Sequence, residues 1–181
     1  MASEMLRIGD RAPEFRALQG TDGKTYTLET FKDAKVLIVV FSCNHCPYVQ
    51  AYEDRMIAFQ REFAGKGVVF VAINSNEIEH YPEDSFDEMV KRAKRKGFLF
   101  PYLRDEDQSA ATAYGATHTP EFLVFDHERK LRYHGRFDDN WQDPSQAKNE
   151  YVREAVNALL TGGNVTLPET YSIGCTIKWK T

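Results

Sequence analysis

Residues 36–49 read VLIVVFSCNHCPYV. The first six are apolar without a break and rich in β-branched side chains. A strand with one wet face would alternate apolar and polar residues. This one does not, so it reads as a central strand covered on both sides. The apolar run ends at Ser42, and Cys43-Asn44-His45-Cys46 follows at once, then Pro47. Proline suits the first turn of a helix, where its missing N–H has no partner to lose. Beyond it, Val49, Tyr52, Met56, Phe59 and Phe63 recur at helical spacing, with Gln50, Asp54, Arg61 and Glu62 elsewhere around the wheel. Gly65 and Gly67 end the pattern. Two of the three cysteines therefore fall on a strand-to-helix junction.

Working outward, residues 68–73 (VVFVAI) form the next buried strand and end in Asn74-Ser75-Asn76. Ser85-Phe86-Asp87-Glu88 has capping-box spacing and opens a helix that buries Phe86, Met89, Val90 and Ala93 and stops at Gly97. Its basic end, residues 91–96, fits cations placed against a helix C-terminus. A short helix spans residues 108–114. Thr117-His118-Thr119-Pro120 leads into a hairpin of strands at 121–125 and 131–134. A last helix is expected from Asp143-Pro144, with Val152, Ala155, Val156, Leu159 and Leu160 on its apolar face. Near the N-terminus, residues 15–18 and 24–28 flank the turn Gly20-Thr21-Asp22-Gly23. Crossovers plus a closing hairpin make this an α/β fold, a central mixed β-sheet flanked by helices.

At 181 residues and 42% hydrophobic, the chain suffices for one well-buried domain. No repeat or linker divides it, so residues 1–181 are read as a single domain, with a core at about 8–162 and a tail, 163–181, packing back. A net charge of −4 argues against a nucleic-acid partner. No apolar run reaches the ~18 residues of a membrane span. The start, MASEMLRIGDRAPEF, lacks basic and apolar signal regions, so a cytoplasmic location is expected. In that reducing setting an odd number of cysteines makes no disulfide scaffold, and a C-x-x-C pair points to redox or metal chemistry.

With these residues placed, the chain resembles a thioredoxin-fold protein: a C-x-x-C between central strand and helix, a Thr-Pro before a later strand, and a closing hairpin and helix. The opening Gly9-Asp10-Arg11-Ala12-Pro13-Glu14-Phe15 and Asp22-Gly23-Lys24 resemble the N-terminal hairpin of the peroxiredoxin-like (alkyl hydroperoxide reductase/thiol-specific antioxidant, redoxin) and TlpA-like branches. The tail, with Gly174-Cys175-Thr176-Ile177-Lys178-Trp179-Lys180, looks like that of a subgroup sharing CNHCPYV.

The resemblance implies a thiol-disulfide oxidoreductase with no cofactor beyond a redox-active Cys43–Cys46 disulfide. Cys43, expected to be the more exposed, would be the nucleophile, helped by the helix N-terminus and by His45; Cys46 would resolve the mixed disulfide. Pro120 would be cis, with the Thr119 backbone open to a substrate. Substrates would be protein or small-molecule disulfides or peroxides, and the electron donor a thioredoxin system or low-molecular-weight thiol. The proton acceptor is missing: residues 36–41 hold no buried acid, and Val49 and Gln50 stand where TlpA-like proteins place a glutamate, with Glu53 a turn later. A peroxidase is the alternative, with Cys46 in the peroxidatic place and Arg136 or Arg104 as activating cation. A further alternative is a Sco-like metal site of Cys43, Cys46 and His118, suited to Cu(I) or zinc. Cys175 is either an inward-facing member of an added strand or a third redox cysteine. Tyr48 and Trp141 are candidates to border a groove.

Overall fold

The computed structural model describes residues 4–181. Its centre is the strand read first, β3 (Val36–Phe41), buried along its whole length. Val36, Ile38 and Val40 enter one apolar cluster, while Leu37, Val39 and Phe41 enter a second on the opposite face. That is the pleat's two-residue period at work, and each such side chain contributes on the order of 2 kcal/mol of burial.

Seven strands form the sheet: β1 (Leu18–Gly20), β2 (Thr25–Tyr26), β3, β4 (Val68–Asn74), β5 (Tyr102–Arg104), β7 (Glu121–Phe125) and β8 (Leu131–Gly135). Their order is β2-β1-β5-β4-β3-β7-β8. β3, β4 and β5 run parallel, and the flanking pairs are antiparallel, so the sheet is mixed. α1 (Pro47–Phe63), α2 (Phe86–Lys96) and α4 (Tyr151–Leu160) cover one face; α3 (Ser109–Tyr114) and N-terminal residues such as Phe15 cover the other. Ser85 caps α2 by accepting from the Glu88 N–H, and Gly97 closes it at φ +67°.

Several elements differ from expectation, first of all β5, a strand too short for any sequence period to announce. The first hairpin is tighter, β1 and β2 holding five residues between them. Asp143-Pro144 opens only a single turn, Pro144–Gln146, because Asp143 caps Ser145 and the Asp139 carboxylate then holds the Lys148 and Asn149 amides in a loop. α4 therefore starts at Tyr151. The added strand weighed for Cys175 is present as β9 (Cys175–Thr176), shorter than its alternation suggests, and it pairs antiparallel with an unexpected β6 (His118–Thr119) outside the main sheet. No helix among the described residues is long and apolar enough to cross a membrane.

Candidate active site

β3 ends at the sheet's edge of the site, and α1 begins six residues later. Cys46 is the N-cap of α1, and its carbonyl accepts the first helical bond from Gln50. Cys43 lies in the connecting loop. The Thr119–Pro120 peptide is cis, and it places Thr119 against both cysteines. Cys46 Sγ lies 3.4 Å from the Thr119 carbonyl oxygen, and Cys43 Sγ lies 3.5 Å from Thr119 Oγ1. The third cysteine joins them: Cys175 Sγ is 2.7 Å from Cys46 Sγ. All three are free thiols.

This corrects the expected exposure of Cys43. Cys43 is not the exposed partner, for both are buried, at 2% and 0% exposure. Nor is it the group whose thiolate is favoured. Cys46 is held well below the ordinary thiol range, first by the Cys43 thiol hydrogen bond, then by the Cys175 thiol and the Val49 amide, against the cost of burial. Cys43 moves the opposite way because its proton is held toward Cys46, because it is buried, and because the Asp84 charge opposes a second anion. The helix N-terminus serves the cysteine that caps it, which is Cys46.

Asp84 is the residue that sequence reasoning missed. It closes the single turn Pro82–Asp84 ahead of α2 and is fully buried. Its Oδ1 accepts from the Asn44 amide (2.7 Å) and Asn74 Nδ2 (3.1 Å), and its Oδ2 accepts from Asn76 Nδ2 (3.0 Å). Asn74 and Asn76 at the end of β4 solvate this carboxylate, while Ser75 between them turns to Asp105, and the Asp84 carboxylate in turn fixes the CNHC loop. Tyr102 Oη adds a bond to Asn44 Oδ1 at 2.7 Å. The signal in the sequence was Asn74-Ser75-Asn76, polar residues directly after a fully buried strand.

His45 faces this acid rather than a substrate groove. Its Nδ1 lies 2.7 Å from Asp84 Oδ2, within ion-pair range but off the hydrogen-bonding line, and its Nε2 is 3.7 Å from Glu83. The ring stacks on Tyr81, centroids 5.9 Å apart. Cys43, His45 and Asp84 also place one ligating atom each within 4.8 Å of one another, the group of three that the described residues bring together. His118 is outside it, with Nδ1 on Thr117 Oγ1 at 2.8 Å. A soft cation would therefore meet a thiolate, an imidazole and a carboxylate, a zinc-like set rather than the two-thiolate set expected.

The remaining candidates are placed elsewhere. Glu53 is buried but bidentate with Arg92 from α2, so its charge is already spent. Arg104 is bound to Glu106 and to the carbonyls of Asn74, Asn76 and Asp84; Arg136 stacks between Tyr151 and Tyr171. Neither has a sulfur partner. Tyr48 does border the cysteines, and Trp141 packs on it at 4.3 Å between centroids.

The Thr119 backbone is not open to a substrate. β9 already occupies that edge, Cys175 pairing with Thr119 and Thr176 with His118. Gly174 makes this approach possible, since a Cβ there would stand 2.1 Å from the Thr119 carbonyl oxygen. Thr170 hydrogen-bonds to His134, Tyr133 and Arg136 on one side of the strand. Ile177, Lys178 and Lys180 anchor it to Thr117, Asn76, Glu77 and Gln108 on the other.

Comparison with known proteins agrees with this architecture. The chain is 26% identical over 131 residues to the thiol-disulfide oxidoreductase ResA of Halalkalibacterium halodurans, spanning 72% of this chain and 69% of that one. An uncharacterized conserved protein of Geobacillus kaustophilus superimposes with a TM-score of 0.91 at 43% identity, covering 98% of this chain and 95% of that one. A putative thiol:disulfide interchange protein DsbE of Chlorobium tepidum shares the fold, with a TM-score of 0.68 at 21% identity over 86% of this chain and 99% of that one. The family model described as Redoxin matches residues 7–151. This thioredoxin-fold chain, with its cysteines at the head of α1, belongs to the Redoxin family.

Proposed function

We propose that the protein is a thiol-disulfide oxidoreductase that works through the cysteines gathered at the head of α1, with Cys46 as the thiolate. The observation that carries this is the seat of Cys46: an N-cap sulfur that receives the Cys43 and Cys175 thiols and a backbone amide, beside a cis Thr119–Pro120 bond. A thiolate so stabilised is both nucleophile and leaving group in disulfide exchange. The ResA likeness supports the same chemistry. Partners on this reading are disulfides on one side and a thioredoxin-type dithiol or low-molecular-weight thiol on the other.

Peroxide reduction is the second reading, and the burial of both sulfurs favours it, because a small oxidant enters where a large one does not. Against it, both arginines expected to polarise a peroxide, Arg104 and Arg136, are bound elsewhere. The test is the rate at which reduced protein loses thiols to glutathione disulfide and, separately, to hydrogen peroxide. Exchange faster than that of an unactivated thiol, abolished in Cys46→Ser, is the expected result. Rapid loss to peroxide with sluggish exchange would replace the oxidoreductase with a peroxidase.

A further inference from the structure

The dithiol is walled off. Cys43 and Cys46 are essentially without solvent contact, and the edge beside Thr119, where an extended substrate would lie, is filled by β9. A partner has to reach the stored electrons by some route. Of the three cysteines, Cys175 is the one with partial solvent exposure. It is also the one whose Sγ stands 2.7 Å from Cys46 Sγ. The strand carrying it is strapped at both ends, by Thr170 and by residues 177–180, so the contact is built into the fold rather than made by a loose terminus.

Resting on the oxidoreductase reading, we propose that Cys175 is the port of this site: outside thiols and disulfides react at Cys175, and the Cys46–Cys175 disulfide is the oxidised form they exchange with. In the oxidising direction the Cys175 thiolate, its proton lost to solvent, attacks one sulfur of a disulfide R–S–S–R. A Cys175–S–R bond forms, the R–S–S–R bond breaks, and one R–S⁻ leaves and takes a proton from solvent. The Cys46 thiolate then attacks Cys175 Sγ. The Cys46–Cys175 bond forms and the second R–S⁻ leaves. The disulfide has gained two electrons and the protein has lost two. Reduction reverses these steps: a partner thiolate attacks Cys175 Sγ, and the electron pair of the broken bond departs on Cys46.

The chemistry of the three sulfurs suits this route. Attack on a disulfide favours the accessible sulfur and the better leaving group. Cys175 supplies the first, and Cys46, cradled by the Val49 amide and the Cys43 thiol, supplies the second. Burial and then Cys46 push the Cys175 thiol up to about 11, with Lys178 opposing them, so its solvent access rather than its acidity makes it the port. Cys43 is poorly suited to close the disulfide, because its bond to Cys46, its burial and then the Asp84 charge all disfavour the thiolate it would need. Its part is to donate to Cys46. In thioredoxin-like logic the edge beside a cis-proline belongs to the substrate; here it holds a tethered cysteine of the chain itself.

The test is a linkage map of the full chain. Fully reduced protein is mixed with glutathione disulfide, quenched early with an alkylating agent, and its disulfide-linked peptides are identified. The expected first product joins Cys46 to Cys175 with Cys43 alkylated, and Cys175→Ser should consume glutathione disulfide about tenfold more slowly. A first product joining Cys43 to Cys46 with Cys175 alkylated, or a Cys175→Ser rate equal to that of the wild type, overturns the port. Wild-type protein that ignores glutathione disulfide altogether ends the oxidoreductase reading. In that case a parallel arm with diamide, which takes two electrons and two protons from a pair of thiols, still decides the pairing. A Cys46–Cys175 product there keeps the third cysteine in the redox set, and a Cys43–Cys46 product removes it.

Discussion

Cys46 and Cys43 lie three residues apart, yet their surroundings push them in opposite directions. Cys46 caps a helix and collects donors; Cys43 gives its proton toward Cys46 and sits near Asp84. Because the Cys46 thiolate is favoured, reactivity at that sulfur should hold nearly constant as pH falls from neutral and drop only in the acidic range. Removing its strongest donor must weaken this. In Cys43→Ala the midpoint of the thiolate's ultraviolet absorbance should move to higher pH, whereas Cys46→Ser should leave only ordinary or raised thiol titrations. A midpoint unchanged in Cys43→Ala would mean that the helix N-terminus, the Val49 amide and the Cys175 thiol suffice to set the thiolate. Asp84 acts with the opposite sign. Asp84→Asn removes the charge that disfavours a thiolate at Cys43, so Cys43 alkylation should accelerate at neutral pH. If it slows, Asp84 matters through its hold on the Asn44 amide rather than through its charge.

Among elements, the join between α1 and α2 rests on one buried pair. Glu53 is 2% exposed and accepts two bonds from Arg92, while Lys96 reaches Asp54 from the solvent side. The exposed pair contributes little. The buried one is dangerous to break, because Arg92→Ala strands a carboxylate in the core. The expected loss is about 3 kcal/mol in denaturant unfolding, at the low end for such pairs because Arg92 is partly exposed. Glu53→Gln with Arg92→Ala should recover much of it, and a double variant no better than the single would contradict the charge argument. A second join, β6 to β9, depends on close backbone approach. Gly174→Val aims a side chain at the Thr119 carbonyl, a main-chain atom that cannot swing away. β9 should lift and carry Cys175 off Cys46, so diamide should form the Cys46–Cys175 bond more slowly while the unfolding midpoint changes little. An unchanged bond-forming rate would show that the strand tolerates the shift.

Across the whole molecule, the parts legible in the sequence are those that a period or a breaker announces. Val36–Phe41 was readable because both faces of a strand must be apolar when both are covered, and the helices because their apolar stripes and caps repeat. Asp84 was hidden because its burial is sustained by three asparagine donors forty, ten and eight residues away, a relation that no local pattern carries. The burial of Cys43 is hidden for the same kind of reason: Thr119 and Asp84, which lie beside it, come from segments distant in the sequence. The C-terminal tail has one deep apolar anchor, Ile177, 4% exposed in the second cluster, and otherwise short hydrogen bonds. A segment with so little buried area opens more easily than the sheet beneath it. Ile177→Ala would cost about 2–4 kcal/mol at a core site, but here the loss should fall mainly on the tail's own opening. Hydrogen exchange at the Ile177 amide, bonded to the Thr117 carbonyl, should then speed up, and Cys46 should become open to alkylation, with little change in global unfolding. A global loss of the full amount with Cys46 still protected would instead make the tail part of the cooperative core, and the closed edge beside Thr119 would be permanent.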